Sequence, residues 1–303
     1  MFDVIKYRFL FYTFSLILVL GSIFSIFYFG FNLGIDLKGG SILSLEFKEN
    51  RPEISKIEEA LKDLNLNINF QPVGEKGLVL KMKDISEETH QKILEKLNSL
   101  SPIDESKESF QTIGPSIGKE LQRKTNLVII LCTLSILFYV SIAFRKVSRP
   151  VPSFYYAFFG TIALCHDVLI SAGLISILGK FKGVEFSIPI ITALLTIFGY
   201  SINDTVVVYD RIRENLTKKT SQESFEDVVK KSINQSFLRS FNTSFTTILP
   251  LIFIYFFGGE SLKYFALTLI VGIAFGTYSS LFLAPQLIVD YYLRKKKISL
   301  DKF

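Results

Sequence analysis

Charge is scarce in this chain of 303 residues, at 20% Asp, Glu, Lys and Arg, and cysteine is scarcer still, with only Cys132 and Cys165. The two cysteines lie in separate apolar runs without a C-x-x-C spacing, which excludes a disulfide framework or a zinc site as the organising feature. No metal or cofactor is implied. No G-x-x-x-x-G-K-[ST] occurs, so the chain has no P-loop to cradle nucleotide phosphates, and ATP is not expected to be its own fuel. The first apolar run is followed by no A-x-A site and is too long for a signal-peptide core, so it reads as an uncleaved anchor. Apolar residues are abundant: 49% of the chain is hydrophobic and Phe alone supplies 30 residues. They are bunched, and with a mean hydropathy of +0.37 they indicate a membrane protein.

The apolar stretches run over 9–35, 125–144, 150–179 (interrupted by Asp167), 186–209 (interrupted by Asp204), 240–259 and 264–289. About 20 helical residues cross a hydrocarbon core of roughly 30 Å, so six transmembrane helices are expected. An even number of spans puts both ends on one side. The flanks on that side carry 17 basic residues: Lys6 and Arg8, then Arg145, Lys146 and Arg149, then seven from Arg211 to Arg239, and five from Arg294 to Lys302. The opposite short loops carry only Lys180, Lys182 and Lys263. The positive-inside rule then predicts cytoplasmic termini, with residues 36–124 forming a domain outside the membrane. Its 14 basic and 16 acidic residues make a near-neutral surface that gives no reason to expect nucleic acid. The expected division is a tail and first helix in 1–35, the external domain in 36–124, helices two to six in 125–293 and a basic cytoplasmic tail in 294–303.

Within the external domain, Leu43, Leu45 and Phe47 alternate as a strand, and Ile54, Ile57, Leu61 and Leu64 repeat with helical spacing. Ile68 and Phe70 mark a second strand, residues 74–77 a hairpin turn, and Leu78, Leu80 and Met82 a third strand. Ser86 offers an N-cap to a helix carrying Ile93, Leu94, Leu97 and Leu100, and 110–113 is the last extended piece. The order β-α-β-β-α-β is the ferredoxin-like pattern. The predicted fold class is therefore a membrane all-α six-helix bundle with one extracytoplasmic α+β ferredoxin-like domain.

Polar residues inside the spans are the candidate functional groups, because an ionised carboxylate there costs several kcal/mol unless paired, wetted or protonated. Thr196, Tyr200, Asn203, Asp204 and Val207 fall at helical spacing in the fourth span, which predicts that Asp204 faces protein. Arg239, Asn242, Thr243 and Thr246 share a face of the fifth span by the same spacing, with Pro250 removing the hydrogen bond to the Thr246 carbonyl. Counting from the charged flanks puts Asp167 and Asp204 roughly 13 Å apart in depth, and His166 about 100° away from Asp167 around its helix. That separation, with the absence of a Gly-x-Gly-Asp segment, weighs against an intramembrane aspartyl protease. In the sixth span Gly272 and Gly276 form G-x-x-x-G, followed by Ser279, Ser280 and Ala284, a face for close helix packing. Thr220 and Glu223 suggest a capping box, and Phe225, Val228, Val229, Ile233 and Phe237 an interfacial amphipathic helix near 221–238.

The segments GYSINDTVVVYDRIREN (199–215), ALCHD (163–167), RSFNTSFTTILP (239–250), GTYSS (276–280), LGIDLKGG (33–40) and IGPSIGKEL (113–121) resemble the SecD/SecF family of the bacterial Sec translocase, in its SecF branch. One departure is Asp-Leu-Lys-Gly-Gly, with Lys38, where SecF has Asp-Phe-Thr-Gly-Gly. The resemblance covers nearly the whole chain. It implies a subunit of the resistance-nodulation-division superfamily in the cell inner membrane, paired with SecD and associated with the SecYEG channel, with YajC and YidC as further neighbours. It also implies that the proton-motive force is used to draw unfolded preprotein outward. By the same resemblance Asp204 and Arg239 take part in proton passage, with Asn203, Asn242, Thr243 and Thr246 beside them and Asp167 a weaker member. Asp36, Gly39 and Gly40 match the motif joining the first span to the external domain. Two other readings stand beside this one: an assembly subunit stabilising SecD and the channel without its own proton pathway, and a small-solute exporter half, which would need a far longer external domain.

Overall fold

The computed structural model describes residues 3–145 and 150–300; Lys146, Arg149 and Lys302, counted among the basic flanks, lie outside them. In chain order the helices and strands are α1 (Arg8–Phe29), α2 (Ile35–Lys38), β1 (Gly40–Glu46), α3 (Ile54–Leu61), β2 (Asn69–Val73), β3 (Gly77–Met82), α4 (Glu87–Leu100), β4 (Ser109–Ile113), α5 (Pro115–Ala143), α6 (Ser153–Lys182), α7 (Ile188–Thr217), α8 (Phe225–Phe257), α9 (Glu260–Phe282) and α10 (Ala284–Leu300). They form two compact units, one of residues 33–126 and one of 1–32 with 127–303.

In the larger unit, six helical segments are long and apolar enough to cross a membrane, the sixth formed by α9 running into α10. The two join at Leu283, and Pro285, which has no N–H to give, falls in the first turn of α10 where none is needed. Helices α6, α7 and α9 bury about half of their most apolar stretches, whereas α1, α5 and α8 bury little. Small residues bring the helices together. Helix α1 buries only Ser15, Ser22 and Ser25, and Ser25 donates to the Gly173 carbonyl of α6 at 3.1 Å. The Gly272–Gly276 face packs on α7: a Cβ at Gly272 would sit 2.1 Å from Ile197, and one at Gly276 3.4 Å from Ser201.

Two features differ from expectation. Residues 225–238 are not a separate interfacial helix but the first turns of α8, a single helix of 33 residues. No helix breaker separates the two segments. The apolar stripe is spent on neighbouring helices, since Phe225, Val229 and Ile233 pack with Val208, Tyr209 and Ile212 of α7 and Ile288 of α10. The full capping box is Ser224 with Asp227 rather than Thr220 with Glu223, whose carboxylate accepts from the Thr220 N–H at 3.1 Å.

The smaller unit is a four-stranded antiparallel sheet in the order β2-β3-β1-β4. Leu43 and Leu45 of β1 pair in register with Leu80 and Leu78 of β3. These side chains, with Phe47 and Met82, close a core with Ile57 and Leu61 of α3 and Ile93 and Leu97 of α4. Ser86 caps α4 by accepting the Thr89 N–H at 3.4 Å, while Leu100 lies exposed at its end. The Asp36–Gly40 segment is a single helical turn running into β1, with Gly39 at φ +81°. A Cβ at Gly39 would lie 2.8 Å from Pro115 Cα, one at Gly40 2.6 Å from the Met82 carbonyl and one at Gly118 2.6 Å from the Leu37 carbonyl. The glycines thus let α2 and the start of α5 meet backbone to backbone, with Gln122 donating to the Leu37 carbonyl at 2.8 Å.

Candidate functional site

Two carboxylates lie buried in the middle of the bundle, Asp167 at the fifteenth of the 30 residues of α6 and Asp204 at the seventeenth of the 30 of α7. Each is held by serines from other helices. Asp204 accepts from Ser240 of α8 at 2.6 Å and from Ser280 of α9 at 2.5 Å. Asp167 Oδ2 accepts from Ser201 of α7 at 2.6 Å and Ser279 of α9 at 2.8 Å. These hydroxyls give each buried carboxylate two hydrogen-bond donors.

The expected depth difference of roughly 13 Å does not occur. Ser201 and Asp204 are one turn apart on α7, about 4.5 Å of rise, and Ser279 and Ser280 are adjacent on α9, so the two carboxylates lie at nearly one level. Helix α7 continues to Thr217, well past Tyr209 where the uncharged run ends, so a depth counted from the charged flank underestimates how deep Asp204 sits. Each carboxylate is nevertheless bonded to its own serines rather than to the other carboxylate. His166 also differs from expectation: its Nδ1 lies 2.8 Å from Asp167 Oδ1, because a side chain one residue away can turn back alongside its neighbour. His166 is 3% exposed, and its Nε2 has no hydrogen-bond partner among the described residues.

The stripe expected on α8 faces outward. Arg239, Asn242, Thr243 and Thr246 are all exposed, as are Asn203 and Thr196 on α7. The threonines bond back to their own helix, Thr243 to the Arg239 carbonyl at 2.8 Å and Thr246 to the Asn242 carbonyl at 2.9 Å. The face of α8 that meets α7 and α9 is one residue over, with Ser236, Ser240 and Ser244 buried. Ser244 accepts from Tyr200 at 3.1 Å and also bonds Thr277 of α9. The 236, 240, 244 repeat at i, i+4 was the available signal, missed because serine is neither strongly polar nor apolar and the neighbouring Arg and Asn dominate the pattern.

Arg239 instead lines a cavity of about 300 Å³ between the end of α5, α7 and α8, together with Phe144, Val207, Asp210, Arg211 and Ser236. Ser236 Oγ is buried there without a hydrogen-bond partner among the described residues, one helical turn from the Ser240 that holds Asp204. The space is large enough for several waters. Among the described residues no group of three His, Cys, Asp or Glu could hold a metal.

Residues 92–294 match the family described as protein export membrane protein SecD/SecF, C-terminal, and residues 24–50 match the SecD/SecF GG motif. The protein translocase subunit SecF of Thermobaculum terrenum is 38% identical over 96% of this chain and 94% of its own length. The protein translocase subunit SecDF of Brucella abortus is 33% identical over 88% of this chain, which spans only 34% of that longer protein. The crystal structure of SecDF from Thermus, a translocon-associated membrane protein, superposes with a TM-score of 0.80 at 34% identity, over 96% of this chain and 38% of that one.

Proposed function

The chain belongs to the SecD/SecF family of protein-export membrane proteins, a family of transport components rather than enzymes, and on that premise we propose that it uses the proton-motive force to promote the late stage of preprotein translocation. The observation that carries this reading is Asp204, buried in mid-bundle and held by hydroxyls from two other helices, beside a cavity that stops one turn away. A carboxylate so placed has two charge states that favour different helix packings, and water in the cavity supplies the proton. One charge moving through 100 mV releases about 2.3 kcal/mol, enough to bias a two-state motion by roughly 50-fold. Arg239 lines that cavity and acts through its field on Asp204, while Asn203, Asn242, Thr243 and Thr246 stand outside the cavity on the exposed face.

SecD is the expected partner. The longer SecDF relatives carry the match within one chain, and the exposed Asn203, Arg239 and Asn242, unlike the threonines beside them that bond back to their own helices, offer polar groups at a depth where lipid returns no hydrogen bonds. Helices of a partner subunit would satisfy them. SecYEG, with YajC and YidC, completes the assembly in the cytoplasmic membrane, with both termini and the α7–α8 loop inside and residues 36–124 outside on the charge asymmetry of the flanks. The element order and strand order of that unit support a ferredoxin-like fold.

The second reading, an assembly subunit without a proton pathway, is separated from the first by Asp204→Asn. The amide keeps the shape, and the hydroxyl facing its nitrogen turns to accept; Ser280 has the Gly276 carbonyl at 2.7 Å for its own hydrogen. The fold and the pairing with SecD therefore survive. Export is measured in membrane vesicles with SecA and ATP held constant while the gradient is imposed or collapsed. The expected result is loss of gradient dependence; an unchanged dependence, with the variant present in the complex, leaves the assembly reading in its place.

A further inference from the structure

Both buried carboxylates end on the same turn of α9. Ser279 and Ser280 lie within reach not only of Asp167 and Asp204 but of one shared alternative acceptor, the Gly276 carbonyl, at 3.2 and 2.7 Å; Ser280 also reaches the Thr277 carbonyl, a longer 3.2 Å away, so Gly276 is its nearer alternative. A hydroxyl has a single hydrogen to give, and one lone pair of that carbonyl is already taken by the helical N–H four residues on, so only one serine at a time is served there. With Asp204 ionised, the Ser280 hydrogen is committed to it and the carbonyl is open to Ser279. With Asp204 protonated, its own O–H donates, Ser280 turns to the carbonyl, and Ser279 is left with Asp167 alone. Asp167 is in turn tied to His166, whose free Nε2 is sealed from water.

Resting on the reading that Asp204 gains and loses a proton, we propose that Ser279, Ser280 and the Gly276 carbonyl couple the charge state of Asp204 to the hydrogen bonding of the Asp167–His166 pair. The two serines are positioning residues, and the pair on α6 is a second polar centre that answers to the first. The other titratable or charged groups around it are few. Helix α9 adds Tyr278, whose ring lies 6.1 Å from that of His166 and whose hydroxyl donates to the Phe11 carbonyl of α1. Helix α7 adds Tyr200, bonded to Ser244, and α8 adds the exposed Arg239. Helix α1 brings Tyr12 and Arg8, and both are engaged by Asp290 of α10. A charge change at Asp204 therefore reaches His166 mainly through the two serines.

The chain has only two histidines, His90 and His166, so ring nitrogen-15 signals of the full-length protein in detergent report the pair directly, with His90→Gln assigning them. Asp204→Asn, a neutral stand-in for the protonated state, is expected to shift the His166 signals at constant pH and leave those of His90 unmoved. Ser280→Ala is expected to abolish that shift and Ser280→Thr, which keeps the hydroxyl, to preserve it. The His90 signals and the helical circular dichroism show that each variant is folded. Identical His166 signals with and without Asp204→Asn, or a shift that survives Ser280→Ala, overturn the coupling. An unmoved His166 alongside lost gradient dependence of export overturns the coupling alone, whereas persisting gradient dependence in Asp204→Asn overturns the function on which it rests.

Discussion

Gly39→Ala tests the backbone junction between α2 and α5. The new methyl would lie 2.8 Å from Pro115 Cα, 2.9 Å from Pro115 N and 3.1 Å from the Ile113 carbonyl oxygen, all backbone atoms that no rotamer change can move. The residue also sits at φ +81°, where an L side chain costs about 1–2 kcal/mol. Overpacking adds about 1–3 kcal/mol, for a total of roughly 2–5 kcal/mol. A unit of residues 33–126 has a stability of roughly 5–14 kcal/mol, so the variant still folds but with its junction loosened. Gly74→Ala is the control, because Gly74 has φ +59° and nothing within 4 Å of the added carbon, leaving the conformational cost alone. Amide hydrogen exchange of the full chain over 36–46 and 113–118 reads the difference. Protection there should fall about tenfold for each 1.4 kcal/mol, and further in Gly39→Ala than Gly74→Ala changes its own turn. Equal effects of the two substitutions would refute the close backbone approach as the reason for the glycine.

Gly272→Ala should lower the melting temperature of the detergent-solubilised protein, at a cost of about 1–3 kcal/mol from the clash with buried Ile197, while Gly199→Ala, with open space around it, should raise it through a stabilisation of up to about 1 kcal/mol. Ser224→Ala removes the capping box and should cost about 0.5–2 kcal/mol, seen as faster amide exchange in the first turns of α8. In the sheet unit, hydrogen bonds from Gln91 and His90 hold Glu87 below the usual carboxylate range, Lys92 does the same for Glu88 and Lys96 for Asp63. A depressed folded-state value gives stability that is present above the unfolded value and lost as pH falls through the folded one. The melting temperature of an excised 33–126 segment should therefore be flat above about pH 5 and fall below about pH 4, and a rise on acidification would contradict the assignment. Single cysteines at exposed positions of 48–53 should react with a membrane-impermeant reagent on intact spheroplasts, and a failure to react would reverse the topology.

The spans, the strands and the glycine face were legible because each rests on a periodicity with a strong contrast. Leu43 and Leu45 of β1 and Phe47 just beyond its end are buried, as their alternation implies, and the Gly272–Gly276 face meets α7. The α8 face was misread by one residue because the usual contrast weakens inside a membrane. Helix contacts there are made by serine, and the outward face of a subunit that joins a partner carries groups as polar as any interior. The position of Asp204 along its helix was misjudged for a related reason: charge marks where solvent begins, but α7 does not end there. Ser279 and Ser280 were noticed for their small size, and only the structure gives them their role as donors.

The unbroken length of α8 has a mechanical consequence. Its 33 residues extend about 50 Å, well beyond a hydrocarbon thickness of roughly 30 Å. Ser240, which grips Asp204, lies 15 residues from Phe225 at the start of the helix, an arm of about 22 Å. A rigid rod pivoting by about 10° at that grip would swing its far end by roughly 4 Å, with no hinge between to absorb the movement. Lys230, close to that far end, is anchored to Asp3 at 2.6 Å, so the displacement would be felt by the segment that leads into the first helix.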